Sequence, residues 1–186
     1  LYGPVDVDVL RRTLQYVVDR HEVLRTTFVA REGDAVAVVH PSYPVELPVE
    51  QVEGDTPEAR DRAAAQRVHD EARRHFDLGR LPLIRFLLLR LADDDHVVSL
   101  YTHHAVWDGW SFDIFWDDVQ AAYAAFAAGR EPALPPLPVR YRDFAAWQRA
   151  TLTPERLAPH RDWWLERLAA PLPVLELPAD RPRAPV

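Results

Sequence analysis

The 186-residue sequence contains neither cysteine nor methionine. Without cysteine there is no disulfide framework and no thiolate metal site, which favours a reducing, cytoplasmic compartment. Without methionine the chain does not start at the residue of a natural start codon, so we expect an excised or processed piece. The sequence also lacks a run of about 18 apolar residues and a signal-peptide pattern, so neither membrane insertion nor export is predicted.

Lysine is absent as well, so arginine supplies all 22 basic side chains, against 29 acidic ones. The net charge of −7 argues against nucleic acid or an anionic membrane as the main partner. Serine occurs only at Ser42, Ser99 and Ser111, and Gly109-Trp110-Ser111 lacks the glycine spacing of a nucleophile elbow. The sequence shows no side-chain nucleophile, and in a group transfer we expect one substrate to attack another.

What remains is the composition of an ordinary globular domain, with 48% hydrophobic and 27% charged residues. Apolar residues at helical spacing predict helices over 5–21, 56–76, 111–128, 141–152 and 154–169, with Asp6 as the candidate N-cap of the first helix and Thr153 as that of the last. Runs of β-forming residues predict strands over 24–30, 35–40, 49–53, 82–91 and 96–102. Hairpin turns are predicted at Arg31-Glu32-Gly33-Asp34 and at Asp93-Asp94-Asp95. We therefore predict an α+β fold with a mixed β-sheet and flanking helices.

Three of these helices have a predicted buried face. The first helix buries Leu10, Leu14, Val17, Val18 and His21. The second has a thin stripe of Ala63, Val68, Ala72 and His75 or Phe76, and the third buries Phe112, Phe115, Val119, Ala122, Tyr123 and Phe126. An aromatic stripe at this spacing is more often core than a ligand-binding box. The last residues, 171–186, hold five prolines and are predicted to be an extended strap or linker.

The most informative stretch is His103-His104-Ala105-Val106-Trp107-Asp108-Gly109, which follows the last predicted strand. A neutral imidazole within reach of a nucleophile's proton can act as a general base, and a nearby carboxylate can orient it or anchor the loop. If the strand continues through both histidines, their side chains point in opposite directions, so only one enters a site. Gly109 is expected to allow a positive φ or a close backbone approach.

Two other interpretations of the histidine pair stay open from the residues alone. The pair could bind a metal, but adjacent strand residues diverge and no third ligand stands at helical spacing nearby, so we predict no metal site. Alternatively, both histidines could be structural residues with satisfied hydrogen bonds. The motifs that flank the pair favour a functional site over both of these.

Two further motifs accompany the histidine segment in a definite order. Upstream stands Arg20-His21-Glu22-Val23-Leu24-Arg25-Thr26-Thr27-Phe28, and downstream stands Tyr141-Arg142-Asp143-Phe144-Ala145-Ala146-Trp147-Gln148. His-His-x-x-x-Asp-Gly is the active-site signature of the chloramphenicol acetyltransferase-like acyltransferases. With its flanking motifs, the sequence resembles one branch of them, the condensation domains of nonribosomal peptide synthetases. The resemblance spans nearly the whole chain, but the family's opening motif and second lobe are missing.

The resemblance implies that residues 1–170 form the N-terminal lobe of a two-lobed, V-shaped fold. In that family the lobes form a tunnel, and phosphopantetheine arms of carrier proteins enter it from opposite faces. The implied reaction joins an upstream acyl or peptidyl thioester to a downstream aminoacyl thioester, with no cofactor bound directly. The implied partners are the upstream and downstream peptidyl carrier proteins, a neighbouring adenylation domain and the second lobe.

The resemblance also implies roles for the site residues. His104 contacts the reacting amine, either as a general base or as a group that positions the amine and stabilises the tetrahedral intermediate. His103 is structural. Asp108 is expected to be a scaffold residue that pairs with Arg20 or Arg25, which makes it a loop anchor.

Other residues separate this family from its neighbours. Trp110 and Ser111 after the glycine favour condensation over epimerisation. His103 disfavours heterocyclisation, because aspartate is expected at that position. Tyr141 and Trp147 are expected to be core or lobe-contact residues.

Two alternative functions remain from the sequence. One is a free-standing acyltransferase that uses coenzyme A and an alcohol or amine. The other is a docking or recruitment surface without turnover, since a competent tunnel needs the missing lobe.

Overall fold

The computed structural model describes residues 1–173, 178, 180 and 181. Five α-helices, α1 to α5, cover Val7–Arg20, Pro57–Ala72, Ser111–Ala127, Tyr141–Thr151 and Pro154–Arg167. Five strands, β1 to β5, cover Thr26–Arg31, Asp34–Val39, Val49–Gln51, Ile84–Ala92 and Asp95–Thr102, and a 3₁₀ turn covers Glu22–Arg25. The predicted α+β class is confirmed. Of the predicted strap, residues 174–177, 179 and 182–186 lie outside the described part.

The larger sheet has the order β3-β4-β5, with β3 parallel and β5 antiparallel to the central strand β4. Because β4 is covered on both faces, its sequence is a nearly continuous apolar run and not an alternating one. Ile84, Phe86 and Leu88 face one core cluster, while Leu87 and Leu89 face the other. The turn predicted over Asp93-Asp94-Asp95 is confirmed at Asp93 and Asp94, while Asp95 already belongs to β5.

Helices α1 and α3 cover the first face of this sheet. Asp6 caps α1 by accepting hydrogen bonds from the backbone N–H groups of Asp8 and Val9. The predicted inward face of α1 is confirmed for Leu10, Leu14, Val17 and Val18, whereas His21 lies just beyond the helix and is only partly buried. On α3 the prediction is wrong for Phe112, which is 48% exposed, although its ring lies 5.2 Å from that of Trp107.

Helix α2 covers the second face and differs from its prediction. It ends at Ala72 and not near Phe76, and it buries Ala64 and Glu71 in place of Ala63 and Ala72. A carboxylate takes the inward position because three arginines donate hydrogen bonds to its oxygens. Val68 and Phe76 of the predicted stripe do pack against the core, so the prediction is wrong at Ala63 and Ala72 only.

Strands β1 and β2 form a separate hairpin. Its two turn residues, Glu32 and Gly33, both have positive φ, at 53° and 91°. Positive φ at both central residues matches the right-handed twist of the flanking strands. The hairpin predicted at this position is confirmed.

The chain divides into two compact units, Leu1–Tyr141 and Arg142–Val186. The first contains both sheets and helices α1 to α3. In α4 and α5, by contrast, no residue is buried. Thr153 caps α5 by accepting a hydrogen bond from the backbone N–H of Arg156, with Pro154 in the first turn. No helix of the described residues is long and apolar enough to span a membrane.

Candidate active site

The hairpin of β4 and β5 presents the histidine segment at its open end. Strand β5 stops at Thr102, so it does not run through both histidines. The backbone N–H of His103 donates to the carbonyl oxygen of Leu83 at 3.0 Å, which ties the start of the loop to the residue before β4. The N–H of Val106 then donates to the carbonyl oxygen of His103 at 3.0 Å and closes a tight turn.

The two histidines lie in different surroundings. The ring of His103 is partly buried and lies edge to face with Phe76, with ring centres 6.2 Å apart and planes at 82°. Its Nδ1 accepts a hydrogen bond of 3.0 Å from the backbone N–H of Ala105. His104 is exposed, and no protein group among the described residues hydrogen-bonds to its ring. Of the two imidazoles, His104 is therefore the one that is open to a substrate.

Val106 and Trp107 hold the middle of the loop in the core, at 3% and 8% exposure. The Trp107 ring lies 5.2 Å from the ring centres of both Phe112 and Phe115. Its indole Nε1 is buried without a hydrogen-bond partner among the described residues. Sequence reasoning missed these two residues as loop anchors, although two apolar residues inside a polar loop are a readable signal.

Asp108 does not form the predicted ion pair with Arg20 or Arg25. Its Oδ1 accepts hydrogen bonds from the backbone N–H of Ser111 at 3.0 Å and from the Ser111 hydroxyl at 2.8 Å. The carboxylate thus caps the first turn of α3. These bonds, from the Ser111 side chain first and its backbone second, lower the pKa of Asp108, and the nearby His104 adds to the effect. The anchor is a local cap and not an ion pair.

The expected role of Gly109 is also wrong. Its φ is not positive, and a Cβ at this position would meet no atom within 4 Å. Trp110, the next residue, already has helical φ and ψ of −70° and −24°. The chain enters α3 directly from the Asp108 cap, so this turn needs neither conformational freedom nor close approach. Trp110 itself is 82% exposed.

Arg20 and Arg25 bind other partners. Arg20 Nε lies 2.9 Å from Asp118 Oδ2, and its Nη2 donates to the carbonyl oxygen of Pro135 at 2.7 Å. His21 Nε2 lies 2.7 Å from the same Asp118 oxygen. Arg25 donates to the backbone carbonyls of Asp19 and His40. The carboxylate that the upstream motif binds is therefore Asp118, which the sequence analysis did not select.

Asp118 had one signal in the sequence. It lies three residues after Phe115 and four before Ala122, both of which are buried on α3. A carboxylate on that apolar face requires a partner, because an unpaired buried charge is costly. Its side chain is 13% exposed and that of Arg20 is 14% exposed, so the pair joins α1 to α3 in a largely desolvated place.

Tyr141 and Trp147 lie on α4 and are 63% and 57% exposed. The Trp147 ring contacts Phe144 at 5.7 Å between centres. The core interpretation of these two residues is wrong for the described chain, and their role in a contact between lobes stays a prediction.

A cavity of about 410 Å³ lies between residues 43–48 and the first half of β4. Its lining includes Glu71 and three arginines, Arg67, Arg74 and Arg85, but no residue of the histidine loop. The described residues contain no group of three or more His, Asp or Glu side chains that could hold a metal ion. The arrangement at the loop is an exposed imidazole beside a helix cap.

The model of the condensation domain family matches residues 1–186 of the sequence. The chain belongs to the condensation domain family. As a condensation domain it is 40% identical, over 98% of its length, to one of the proteins that make up the linear gramicidin synthase of Brevibacillus parabrevis, and it covers 2% of that protein. It is also 40% identical, over 98% of its length, to a phosphinothricin tripeptide synthetase of Streptomyces viridochromogenes, of which it covers 17%.

Solved structures agree with this family. The condensation-domain chain resembles the X-domain in a complex of the X-domain and OxyB from teicoplanin biosynthesis, with a TM-score of 0.83 and 31% identity. The likeness covers 98% of this chain and 40% of the other. The chain thus spans a small part of the synthetases and less than half of the X-domain chain. The predicted acetyltransferase-like lobe is confirmed as the fold of the described part.

Proposed function

We propose that residues 1–170 are the N-terminal lobe of a domain that forms peptide bonds in nonribosomal peptide synthesis. An upstream carrier protein delivers an acyl or peptidyl thioester, and a downstream carrier delivers an aminoacyl thioester, each on a phosphopantetheine arm. The amine nitrogen attacks the thioester carbonyl carbon, a carbon–nitrogen bond forms, and the carbon–sulfur bond breaks. The proton that the amine loses is taken up by the departing thiolate, which leaves as the free thiol of the upstream carrier. The product remains on the downstream carrier.

The observation that carries this proposal is the exposed imidazole of His104 just after β5, in the His-His-x-x-x-Asp-Gly segment of a chain that belongs to the condensation domain family. An imidazole titrates close to neutral pH and can take the proton of an attacking amine or hold that amine by a hydrogen bond. The chain has no cysteine, and Ser111 near the loop is engaged with Asp108. An attack of one substrate on another, without a covalent intermediate on the protein, fits these groups.

The other residues of the motif support His104 from either side. His103 fixes the start of the loop through its packing and backbone contacts. Asp108 and Ser111 hold the end of the loop at the first turn of α3. Arg20 does not contact the loop, but its ion pair with Asp118 joins α1 to α3, the helix that follows the loop.

The proposal includes partners beyond this chain. They are the two peptidyl carrier proteins, a neighbouring adenylation domain and the second lobe of the domain, all working in the cytoplasm. The names of the relatives support a place in a synthetase, since gramicidin synthase and phosphinothricin tripeptide synthetase both match this chain over 98% of its length.

The test of the proposal compares two donors with the complete two-lobed domain. One donor is an acyl group on its carrier protein, and the other is the same acyl group on coenzyme A, each with a loaded downstream carrier. We expect product only from the carrier-bound donor, because the carrier surface contributes to binding and orientation. Comparable turnover from acyl-coenzyme A would replace this proposal with a free-standing acyltransferase.

A docking function without turnover is the second candidate. The X-domain structure that this chain resembles is a complex with another protein. Large exposed aromatic side chains on α4 and α5, Trp147, Trp163 and Trp164, offer an interaction surface in the second unit. This candidate predicts that the complete wild-type domain binds loaded carriers yet forms no peptide bond from either donor.

A further inference from the structure

Phe76 lies between a guanidinium group and the ring of His103. It follows the end of α2, and its ring meets that of His103 edge to face, with centres 6.2 Å apart. On the same ring, the guanidinium carbon of Arg85 stands 3.9 Å from the centre. A guanidinium at this distance from an aromatic ring is attracted by the ring's quadrupole. The ring that contacts His103 is therefore itself held in place.

Arg85 is fixed by groups at the end of α2. Its Nε donates to Glu71 Oε1 at 3.1 Å, and its Nη2 donates to the backbone carbonyls of Glu71 and Arg74 at 3.3 and 3.1 Å. Glu71 is only 5% exposed, and its carboxylate also accepts hydrogen bonds from Arg67 and Arg74. Because Nε and Nη2 are both bound, the plane of the guanidinium is fixed beside Phe76.

The His103 ring is oriented by a second contact. Its Nδ1 accepts the backbone N–H of Ala105 at 3.0 Å. A ring nitrogen that accepts a hydrogen bond carries no proton, so the ring proton of His103 lies on Nε2. The packing against Phe76 keeps the ring in the plane that this hydrogen bond requires. Loss of that packing would free the ring to rotate and to exchange tautomers.

We propose that Phe76 and Arg85 are positioning residues that place His104 through the ring and backbone of its neighbour His103. The inference rests on the proposed function, because the position of His104 matters only if that imidazole meets a substrate. A displacement of about 1 Å in a reacting group can cost on the order of 100-fold in rate. Glu71, Arg85, Phe76 and His103 then form a row of positioning residues, and only His103 is adjacent to His104 in the chain.

The protein contains a matched control for this arrangement. Phe126, near the end of α3, also has a guanidinium over its ring, with Arg12 at 4.0 Å, and an edge-on aromatic neighbour, Tyr16, at 6.0 Å and 85°. Phe126 is 6% exposed and has no ring contact with the histidine loop. Substituting Phe76 and Phe126 in parallel therefore separates a general loss of packing from an effect on the site.

The experiment uses the complete two-lobed domain with 15N-labelled histidine. We expect Phe76→Leu to shift the ring 15N signals of His103 from one fixed tautomer towards the average of two. We also expect kcat for product formation from loaded carriers to fall about tenfold with little change in KM, and Phe76→Tyr to restore it. Phe126→Leu should lower thermal stability but leave both the His103 signals and kcat unchanged.

Unchanged His103 signals in Phe76→Leu, or a loss of kcat no larger than that of Phe126→Leu, would overturn the inference. If Phe76→Leu does not fold, Arg85→Gln against Arg12→Gln answers the same question, since each removes a guanidinium from a phenylalanine ring together with that arginine's ion pair to a glutamate. The proposed function fails separately: a wild-type domain that forms no product from loaded carriers refutes that function, while the His103 signals still report on positioning.

Discussion

The two ends of the histidine loop are held in different ways. At the first end, His103 is fixed by Leu83 and Phe76, which both come from the segment between α2 and β4. At the other end, Asp108 is fixed by Ser111, only three residues along the chain. Long-range contacts brace the side of the structural histidine, while the cap beside the exposed imidazole is local. The contacts that hold the loop are thus made by the residues on either side of His104, and its imidazole stays exposed.

The largest expected effect comes from His104. In the complete domain, His104→Ala should lower the rate of product formation about 100-fold or more, as loss of a positioned acid–base group does. Because the ring has no hydrogen-bond partner among the described residues, folding should be unaffected, which circular dichroism and gel filtration would check. Formation of product at a rate close to that of the wild type would remove His104 from the reaction.

Among the residues that support the His103 end of the loop, Glu71 should have the largest effect on the free energy of unfolding. Burial alone would raise the pKa of Glu71, but hydrogen bonds from Arg74 and Arg67 outweigh it and lower the pKa below its ordinary value. Glu71→Gln leaves three arginines without that charge, so we expect the free energy of unfolding to fall by about 1–3 kcal/mol. Glu58→Gln, at the exposed start of the same helix, is the control and should have much less effect.

The difference in unfolding free energy between wild type and Glu71→Gln should depend on pH with a definite sign. A carboxylate whose pKa is lowered by folding stabilises the protein above the pKa of the unfolded chain, and the contribution disappears as the pH falls through the folded value. Denaturant titrations should therefore show the gap between wild type and Glu71→Gln at neutral pH and a shrinking gap below a pH of about 4.5. A gap that grows in acid would contradict the ion-pair account of Glu71.

A double-mutant cycle can show whether Arg20 is paired with Asp118 or with Asp108. Asp118→Asn and Arg20→Gln share one contact, so in a double-mutant cycle their effects on unfolding free energy should be less than additive by about 0.5–3 kcal/mol. Asp108→Asn and Arg20→Gln share no contact and should be additive within error. Coupling of Arg20 to Asp108 in place of Asp118 would restore the ion pair that the sequence predicted.

The smallest effect is expected at Asp108 itself. Asp108→Asn keeps an oxygen that accepts the Ser111 N–H, so the melting temperature should change little. Asp108→Ala removes the acceptor and should lower the melting temperature slightly more, and Asp113→Asn, also in the first turn of α3, serves as the control. Equal melting temperatures for the alanine and asparagine variants would show that the cap does not stabilise the loop.

The contrast between local and long-range contacts also explains how much of the molecule could be predicted from the sequence. Features set by neighbouring residues were predicted correctly, including the Asp6 and Thr153 caps, the turn at Glu32 and Gly33, and the strands of the β4–β5 hairpin. Each depends on residue types within a few positions, where local hydrogen bonds and backbone preferences decide the structure.

Features set by distant partners were predicted less well. The sequence has 22 arginines, so the partner of a given carboxylate cannot be chosen from charge alone. The pairing of Arg20 with Asp118 and the burial of Glu71 both depend on how helices meet in space. The contact of Phe76 with His103 has the same origin, because neither residue carries a local signal for the other. The family motifs therefore located the candidate site but not the long-range contacts around it.

The most direct test of the division between the two histidines is a comparison of thermal melting for His103→Ala and His104→Ala in the complete domain. His103→Ala removes the ring contact with Phe76 and the acceptor for the Ala105 N–H, so the melting temperature should fall by about 2–4 °C. His104→Ala removes an exposed ring and should change the melting temperature by less than about 1–2 °C. A larger fall for His104→Ala than for His103→Ala would contradict the account, because it would make His104 the structural histidine of the pair.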